Sequence, residues 1–497
     1  MRVARVIVRP NATQGCATID FLFQSSKRAR AFRERWKCRS RLCAEIEWFR
    51  HSRQIATRRV GERVRRGPVS CEVLFTGLQD FQDLHDEMPV SSILLPCATI
   101  FGQLMKNIYL AGAVRTPIGR FGGTLASWTA ADLGVAVAKE SLRRAGVAAD
   151  QITDSIWGCA RQAGGGPNVA RQITWRAGVP ETVPAATINQ ACGSGLKAII
   201  LAAQEIMLNR ADAVLAGGTE SMSRVPYFAE GARWGMRMGN TQLVDGMYRD
   251  GFSDPLSGLL MGQTAEKLAR RYEISRKEQD EFALSSQQKA QAAIESGRFK
   301  DETMPLEVSG KKGEKTSFAQ DEHCRAGTTL EDLAKLPPVF SKDGSVTAGN
   351  SSGITDGAAA VVVLSEEGLK RFGSTPQARI VDYEICGVAP EVMGIGPVPA
   401  VRRLLERQRL NLSEIDLIEL NEAFAAQVIA CDRELGFAAD RLNVNGGAIA
   451  LGHPIGCTGV RITTTLIYEM QKRDAKLGLA TLCVSGGMGL ALLLERV

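Results

Sequence analysis

Twelve cysteines but only four histidines occur in the 497 residues, so candidates for coupled nucleophilic and proton-transfer chemistry are few. One thiol is set apart by its surroundings. Cys192 lies in Asn189-Gln190-Ala191-Cys192-Gly193-Ser194-Gly195, after an extended segment, Pro184 to Ile188, and before a helical stretch rich in Ala, Leu and Ile, Leu196 to Met207. A thiol at a helix N-terminus faces unpaired backbone N–H groups, which favour negative charge, lower its pKa and raise the share of nucleophilic thiolate. Gly193 and Gly195 carry no Cβ and would let a substrate carbonyl approach the backbone. The competing reading is a buried core cysteine, the common state of a lone cysteine.

Such a nucleophile needs a base. His51 and His85 lie in the basic N-terminal segment, and His323 in the charged loop Asp321-Glu322-His323-Cys324-Arg325. That leaves His453, in Gly452-His453-Pro454-Ile455-Gly456, where the glycines indicate a tight loop ahead of a helix. An imidazole there can take a proton from a thiol, or it is structural. Cys483 ends an apolar strand and is followed by Gly486 and Gly487, a second exposed-looking thiol or a buried strand cysteine. Asn421, in Asn421-Glu422-Ala423-Phe424-Ala425, opens a helix. It is either an N-cap or a group that holds a water or an oxyanion.

The elements that must position these residues alternate. Strands are expected at Asn107 to Val114, Ser155 to Gly158, Ala211 to Gly218 and Ala358 to Leu364, with helices at Ala130 to Ala145, closed by Gly146, and Val169 to Ala177. That alternation implies an α/β sheet covered on both faces. Residues 223–344 interrupt it with charged turns, a long helix, Arg276 to Ser296, and the loop Lys311 to Lys315; they read as an inserted, substrate-covering domain. Past Gln377 the pattern restarts with strands Ile380 to Tyr383 and Ile415 to Leu420, and helices Val398 to Arg407 and Ala423 to Glu434. A Gly-rich loop, Gly446 to Gly459, then precedes a helix, Val460 to Lys472, and a strand, Ala480 to Val484. The organisation is therefore a basic extension (1–104), a first half (105–222 and 345–376), the insertion (223–344) and a similar second half (377–497).

Charge is unevenly spread. Residues 1–104 carry 18 basic and 10 acidic residues, leaving 43 and 44 in the rest. The near-neutral body argues against nucleic acid as a partner. The extension reads as disordered or non-native, with Met105 as the start of the body; an RNA-binding arm and an organelle presequence are the alternatives. Cysteines without a CxxC pair read as reduced intracellular thiols, consistent with a cytoplasmic protein. The uncharged run Met88 to Met105 contains Pro89 and Pro96 and is read as non-transmembrane.

From about Lys106 to Val497 the chain resembles the thiolases, the acetyl-CoA acetyltransferase family. Five strings carry the resemblance, in order: Asn189 to Gly195; Ala216-Gly217-Gly218-Thr219-Glu220-Ser221-Met222-Ser223; Asn421 to Ala425; Asn445 to Pro454; and Cys483-Val484-Ser485-Gly486-Gly487-Met488-Gly489. The resemblance implies a five-layered αβαβα sandwich of two similar halves with a loop domain across the active site. It implies reversible thiolytic cleavage of a 3-ketoacyl-CoA, or condensation of two acetyl-CoA, through an acyl-Cys192 intermediate. His453 would take the Cys192 proton and Cys483 would exchange a proton with the enolate. His453 with an Asn421-held water, and the backbone N–H groups of Cys192 and Ser485, would form two oxyanion sites. Ser352, Met261, Phe340 and Phe424 would line the pantetheine and acyl channel. Coenzyme A and acetyl-CoA are substrates, no tightly bound cofactor or metal is implied, and members are dimers or tetramers. Three positions depart from the family pattern: Ser485 stands where Gly is frequent, Cys457 where a small residue is usual, and Leu260 where many acetoacetyl-CoA-acting members carry His, which leaves a longer-chain 3-ketoacyl-CoA open as substrate.

A ketoacyl synthase would need a second His or an Asn in place of Cys483, and a cysteine hydrolase would lack the doubled halves. Removal of residues 1–104 is expected to leave activity intact; a truncated protein that neither folds nor turns over substrate would contradict the reading of that segment.

Overall fold

The structure, a computed structural model, describes residues 106–309 and 314–497, together with four short strands nearer the N-terminus. The chain divides into two units, residues 1–102 and 103–497. In the first, strands Ala4–Asn11, Cys16–Phe23, Ala31–Trp36 and Ser70–Glu72 form an antiparallel sheet. The expectations for the rest of residues 1–104, and for the run Met88 to Met105, fall outside the described residues.

Ten strands of the second unit form one sheet. In chain order they are β1 (Ile108–Arg115), β2 (Gly119–Arg120), β3 (Asp154–Gly158), β4 (Ala185–Ile188), β5 (Ala213–Ser221), β6 (Thr355–Ser365), β7 (Ala378–Gly387), β8 (Leu417–Leu420), β9 (Leu477–Val484) and β10 (Met488–Arg496). Their spatial order is β8-β9-β10-β7-β1-β6-β5-β3-β4, with β2 paired to β6. Pairs β3/β4, β3/β5 and β8/β9 are parallel and the others antiparallel. The seam between the halves, β7 against β1, is only three residue pairs long.

Eleven helices accompany them: α1 (Ala130–Ala145), α2 (Val169–Arg176), α3 (Ser194–Met207), α4 (Met261–Arg271), α5 (Arg276–Glu295), α6 (Leu330–Ala334), α7 (Glu366–Phe372), α8 (Pro397–Gln408), α9 (Ala425–Leu435), α10 (Ala448–Leu451) and α11 (Ile455–Arg473). Local chemistry fixes their ends. In α1, Thr129 and Asp132 form a capping box, and Gly146 closes the helix with φ 67°. Three apolar clusters define the layers. Leu133, Val137 and Leu142 of α1 and Ile173 of α2 pack on one outer face. Val401 and Leu404 of α8 and Val428 of α9 pack on the other. Between the two half-sheets lie α3 and α11, with Leu196, Ile199 and Ile206 against Val460, Ile462 and Leu466. The result is the expected αβαβα sandwich. The halves repeat one order: β3, α2, β4, α3, β5 in the first; β8, α9, a bridge at Leu442 parallel to Ile418, α11, β9 in the second.

Two differences from the sequence reading bear on the site. Strand β5 runs on past Gly217 and Gly218 to Ser221, because those glycines let neighbours in: a Cβ on Gly217 would meet the Trp157 ring at 2.3 Å, and one on Gly218 the Gly456 carbonyl at 2.3 Å. Much of the stretch Gly446 to Gly459 is helical, as α10 and the first turn of α11. Gly456 and Gly459 sit inside α11 because that turn touches the first half, not because the chain loops there: a Cβ on Gly459 would come within 2.1 Å of Leu196 N.

The 223–344 region holds α4, α5, α6 and a hairpin, Leu306–Ser309 with Lys315–Phe318; Lys311, Lys312 and Gly313 of the expected loop lie outside the described residues. It is tied to β1 by a buried ion cluster. Arg115 Nε donates to Glu302 (2.5 Å) and its two Nη donate to both oxygens of Asp321 (2.7 and 2.9 Å). Thr465 of α11 also donates to Glu302, at 2.9 Å. Removing one member of such a group strands buried charge, so Arg115→Met is expected to cost about 3–5 kcal/mol in urea unfolding; an unchanged midpoint would mean the cluster is not desolvated.

Candidate active site

A tight turn presents Cys192. Ala191, immediately before it, has φ +44°, a left-handed conformation that costs a residue with a Cβ roughly 1–2 kcal/mol. Hydrogen bonds hold it there. Ala191 N donates to Asn189 Oδ1 (3.0 Å), Gln190 N to Ser194 Oγ (2.9 Å) and Ser194 Oγ to the Ala191 carbonyl (2.6 Å). Cys192 lies among Ala160, Met222, Val225, Met247, Phe252, Ile354 and Ile455. Two backbone N–H groups are directed at its sulfur, its own and that of Ser485. Gly193 and Gly195 serve packing rather than open approach: a Cβ on Gly195 would lie 2.8 Å from the Gly456 carbonyl, and one on Gly193 3.0 Å from Leu490.

The second half contributes the remaining groups. Cys483, fully buried at the end of β9, is close enough that charge on Cys192 raises its pKa. Gly486 and Gly487 (φ 83° and 85°) turn the chain so that Ser485 N–H reaches Cys192. His453 immediately precedes α11. Its backbone N donates to the Gly353 carbonyl (3.0 Å), and its Nδ1 lies 2.6 Å from Thr458 Oγ1. His453 Nε2 and both polar atoms of the Asn421 amide are buried without hydrogen-bond partners. Asn421 does not cap a helix: α9 starts at Ala425, with Phe424 in the cap position.

The expected lining residues also gather here. Met261, Phe340 and Phe424 cluster with Cys483. Phe340 and Phe424 meet edge to face with centroids 6.2 Å apart, and Phe340 lies over the Cβ-free face of Gly262. Ser352 N donates to the Ala423 carbonyl (3.0 Å), joining its loop to the Asn421 loop.

The profile described as "Thiolase, N-terminal domain" matches residues 108–367, and "Thiolase, C-terminal domain" matches residues 374–496. The chain belongs to the thiolase family. It is similar to the acetyl-CoA acetyltransferase of Pseudomonas aeruginosa, 53% identical over 392 residues, which are 79% of this chain and 100% of that protein. Among solved structures it resembles the Bacillus anthracis acetyl-CoA acetyltransferase (46% identity, TM-score 0.77, 79% of this chain and 99% of that one). It resembles equally the human mitochondrial 3-ketoacyl-CoA thiolase in complex with CoA (44% identity, TM-score 0.77, 79% and 99%).

In this thiolase the site holds its groups neutral. Burial pushes the Cys192 thiol above the usual cysteine value, against the opposing pull of Arg161 and the two N–H groups. Helix position alone predicts a lowered value, and desolvation outweighs it. Cys483 is raised further, by burial and by Cys192. Burial, with Arg461 and Arg161 nearby, lowers His453 to about 3, so the imidazole is uncharged at neutral pH. His323 is lowered to about 4 by burial and stacks on Gly353.

Three contributors escaped the sequence reading. Buried Glu220 accepts from Ala160 N, Arg161 N and Gly456 N (3.0, 3.0 and 2.9 Å), stapling the two halves beside Cys192. Its sequence signal was its place in Ala216 to Ser223. Arg161 follows β3 with its Nε buried and unpartnered, and no periodicity marks it. A cavity of about 260 Å3 lies beside the Gly349 loop, lined by His323, Arg325, Thr328, Asp332, Ala348 and Gly349.

Because Arg161 lowers the Cys192 pKa against burial, Arg161→Leu is expected to slow iodoacetamide alkylation of Cys192 at pH 8 by about 3-fold or more, with the alkylation midpoint moved to higher pH. An unchanged rate would remove Arg161 from the electrostatics of the nucleophile.

Proposed function

We propose that this thiolase is an acetyl-CoA C-acetyltransferase working through Cys192. The observation that carries the reading is the pairing of half-buried Cys192 with buried Cys483, in a fold that also buries an imidazole Nε2, of His453, and the Asn421 amide without partners. In cleavage, Cys192 sulfur bonds to C3 of a 3-ketoacyl-CoA while its proton passes to His453 Nε2. The C3 oxyanion is held by a pair of hydrogen-bond donors. The C2–C3 bond then breaks and its electron pair stays on C2 as the acetyl-CoA enolate, which takes the Cys483 proton. The thiol of free CoA gives its proton to the Cys483 thiolate and attacks the acyl-Cys192 thioester; acyl-CoA forms as the C–Sγ bond breaks, and the Cys192 sulfur takes its proton back from His453. Condensation is the same path reversed, with Cys483 as the base. The acyl exchange between the Cys192 and CoA thiols is nearly balanced in energy. Preorganised N–H donors and a water-bearing Asn421 would supply the oxyanion stabilisation that usually dominates such steps.

The adenine nucleotide end of CoA would lie along the Arg325 cavity, where a guanidinium suits phosphate. Ser352, Met261, Phe340 and Phe424 would flank the pantetheine arm between that cavity and the thiols. A longer-chain 3-ketoacyl-CoA is the second reading, favoured by Leu260, an apolar residue at the start of α4 beside Met261. We further propose a homo-oligomer, dimer or tetramer, located in the cytoplasm. Its support is Trp234 and Met238, 84% and 97% exposed, with Tyr227 and Leu243 also exposed in the same insertion. Among the described residues no helix is long and apolar enough to cross a membrane.

The test is CoA-dependent cleavage of acetoacetyl-CoA beside a long-chain 3-ketoacyl-CoA. Cys192→Ala is expected to abolish both, since the acyl acceptor is gone. Cys483→Ser is expected to retain acylation of Cys192 by acetyl-CoA while losing carbon–carbon cleavage by about 100-fold or more. Preference for the long chain would move the assignment to the second reading, and equal rates for Cys192→Ala and parent would overturn both.

A further inference from the structure

Thr458 lies in the first turn of α11, and its side chain is fully buried. Its Oγ1 is 2.6 Å from His453 Nδ1 and 3.0 Å from the Pro454 carbonyl. We infer that Thr458 is a positioning residue, whose hydroxyl selects the imidazole tautomer that leaves His453 Nε2 bare as the proton acceptor. The inference rests on the thiolase reading of the site.

Donors decide between the tautomers. A hydroxyl has one proton, and a carbonyl can only accept. With the Thr458 proton on Pro454 O, the Thr458 oxygen is free to accept, and His453 Nδ1 supplies the N–H. Neutral imidazole has a single N–H, so Nε2 then carries only a lone pair. The other tautomer would put an N–H on Nε2, which is buried and has no acceptor. An unpaired buried donor costs more than an unpaired lone pair. The chosen arrangement therefore leaves every proton in the relay paired: Nδ1–H to Thr458, Thr458 O–H to Pro454 O.

The same arrangement survives catalysis without rotation. When Nε2 takes the Cys192 proton, Nδ1–H is already donated and Thr458 already oriented. The third member of this relay is a neutral hydroxyl, where a carboxylate would trap the imidazolium. The charged groups that act on His453 are Arg461, from α11, and Arg161, from the segment after β3; both disfavour the imidazolium. A proton accepted at Nε2 is thus held weakly and passes on readily.

The test uses Thr458→Val, which keeps the shape without the hydroxyl, and Thr458→Ser, which keeps the hydroxyl. Four histidines give few imidazole signals, so 15N NMR of histidine-labelled enzyme reads the tautomer directly, apart from any activity. The parent is expected to show Nδ1 protonated and Nε2 bare at His453. Thr458→Val is expected to mix the tautomers and lower kcat for acetoacetyl-CoA by about 100-fold, at the low end of what general-base catalysis contributes, with KM unchanged. Thr458→Ser is expected to restore both. A parent spectrum with Nε2 protonated overturns the inference even if Thr458→Val does not fold. So does a Thr458→Val enzyme with parental kcat, or a Thr458→Ser enzyme as impaired as the valine variant, which would make the role one of packing. An inactive parent with the expected tautomer would instead count against the thiolase assay reading alone.

Discussion

The N-termini of α3 and α11 touch, and the rest of the molecule is arranged to allow it. Gly195, Gly456 and Gly459 line the contact, and Gly218 of β5 faces the same turn of α11. A methyl group at any of these positions would meet backbone atoms at 2.1 to 2.8 Å, closer than packing tolerates. The contact matters because each helix begins beside a reactive group: Cys192 before α3, His453 before α11. The positive ends of two helix dipoles therefore meet at one point. Glu220 sits at that junction and takes the Gly456 N–H across it, so the carboxylate that satisfies α11 also fixes its distance from the Cys192 half.

That arrangement makes a site poor in charge and rich in directed donors. The proposed nucleophile is a thiol whose burial outweighs its helix position, and the proposed base is an uncharged imidazole. Neither is ionised at neutral pH. A thiolate, enolate or tetrahedral oxyanion formed during reaction meets N–H groups already in place at Cys192 and Ser485. In a low-dielectric pocket such donors are worth more than in water and need no reorganisation. Permanent charge is kept one step away, on Arg161 and Arg461, where it biases the reacting groups without pairing with them.

Much of this was legible in the sequence because glycine, cysteine and histidine mark special places. The helix Ala130 to Ala145 was readable to the residue, with Gly146 marking its end; the Thr129–Asp132 capping box that fixes its start emerged only with the structure. Cys192, Cys483, His453 and Asn421 were singled out from four of the five short strings. The strings could not tell which glycines face substrate and which face a helix: Gly193 and Gly195 read as openings for a carbonyl and serve instead as packing surfaces. The start of α11 was misplaced for the same reason, because Gly456 and Gly459 look like loop residues until a partner helix is known. Thr458 and Arg161 left no signal, since their meaning depends on atoms that neighbour them only after folding. The sign of the Cys192 shift was missed because helix position is local, whereas desolvation belongs to the whole fold.

The insertion raises a mechanical question, since a covering segment can act as a moving lid or as a wall. The polar bonds favour a wall. Ser286 of α5 donates to Glu422 at 2.6 Å, and the same carboxylate accepts from Asn443 Nδ2 (2.9 Å) and Ile449 N (3.1 Å). Glu422 is the neighbour of Asn421, and Ile449 belongs to α10, which leads directly to His453. One buried carboxylate thus joins the insertion, the asparagine loop and the approach to the histidine. At the opposite edge, Arg115 binds the insertion to β1 through Glu302 and Asp321. Opening the insertion at either place would strand a buried charge, at several kcal/mol each. A site so tied has no cheap route to closure or opening as a unit. Rigidity then supplies what a closing lid supplies elsewhere: water excluded in advance, and reacting groups held at fixed distances before the substrate arrives.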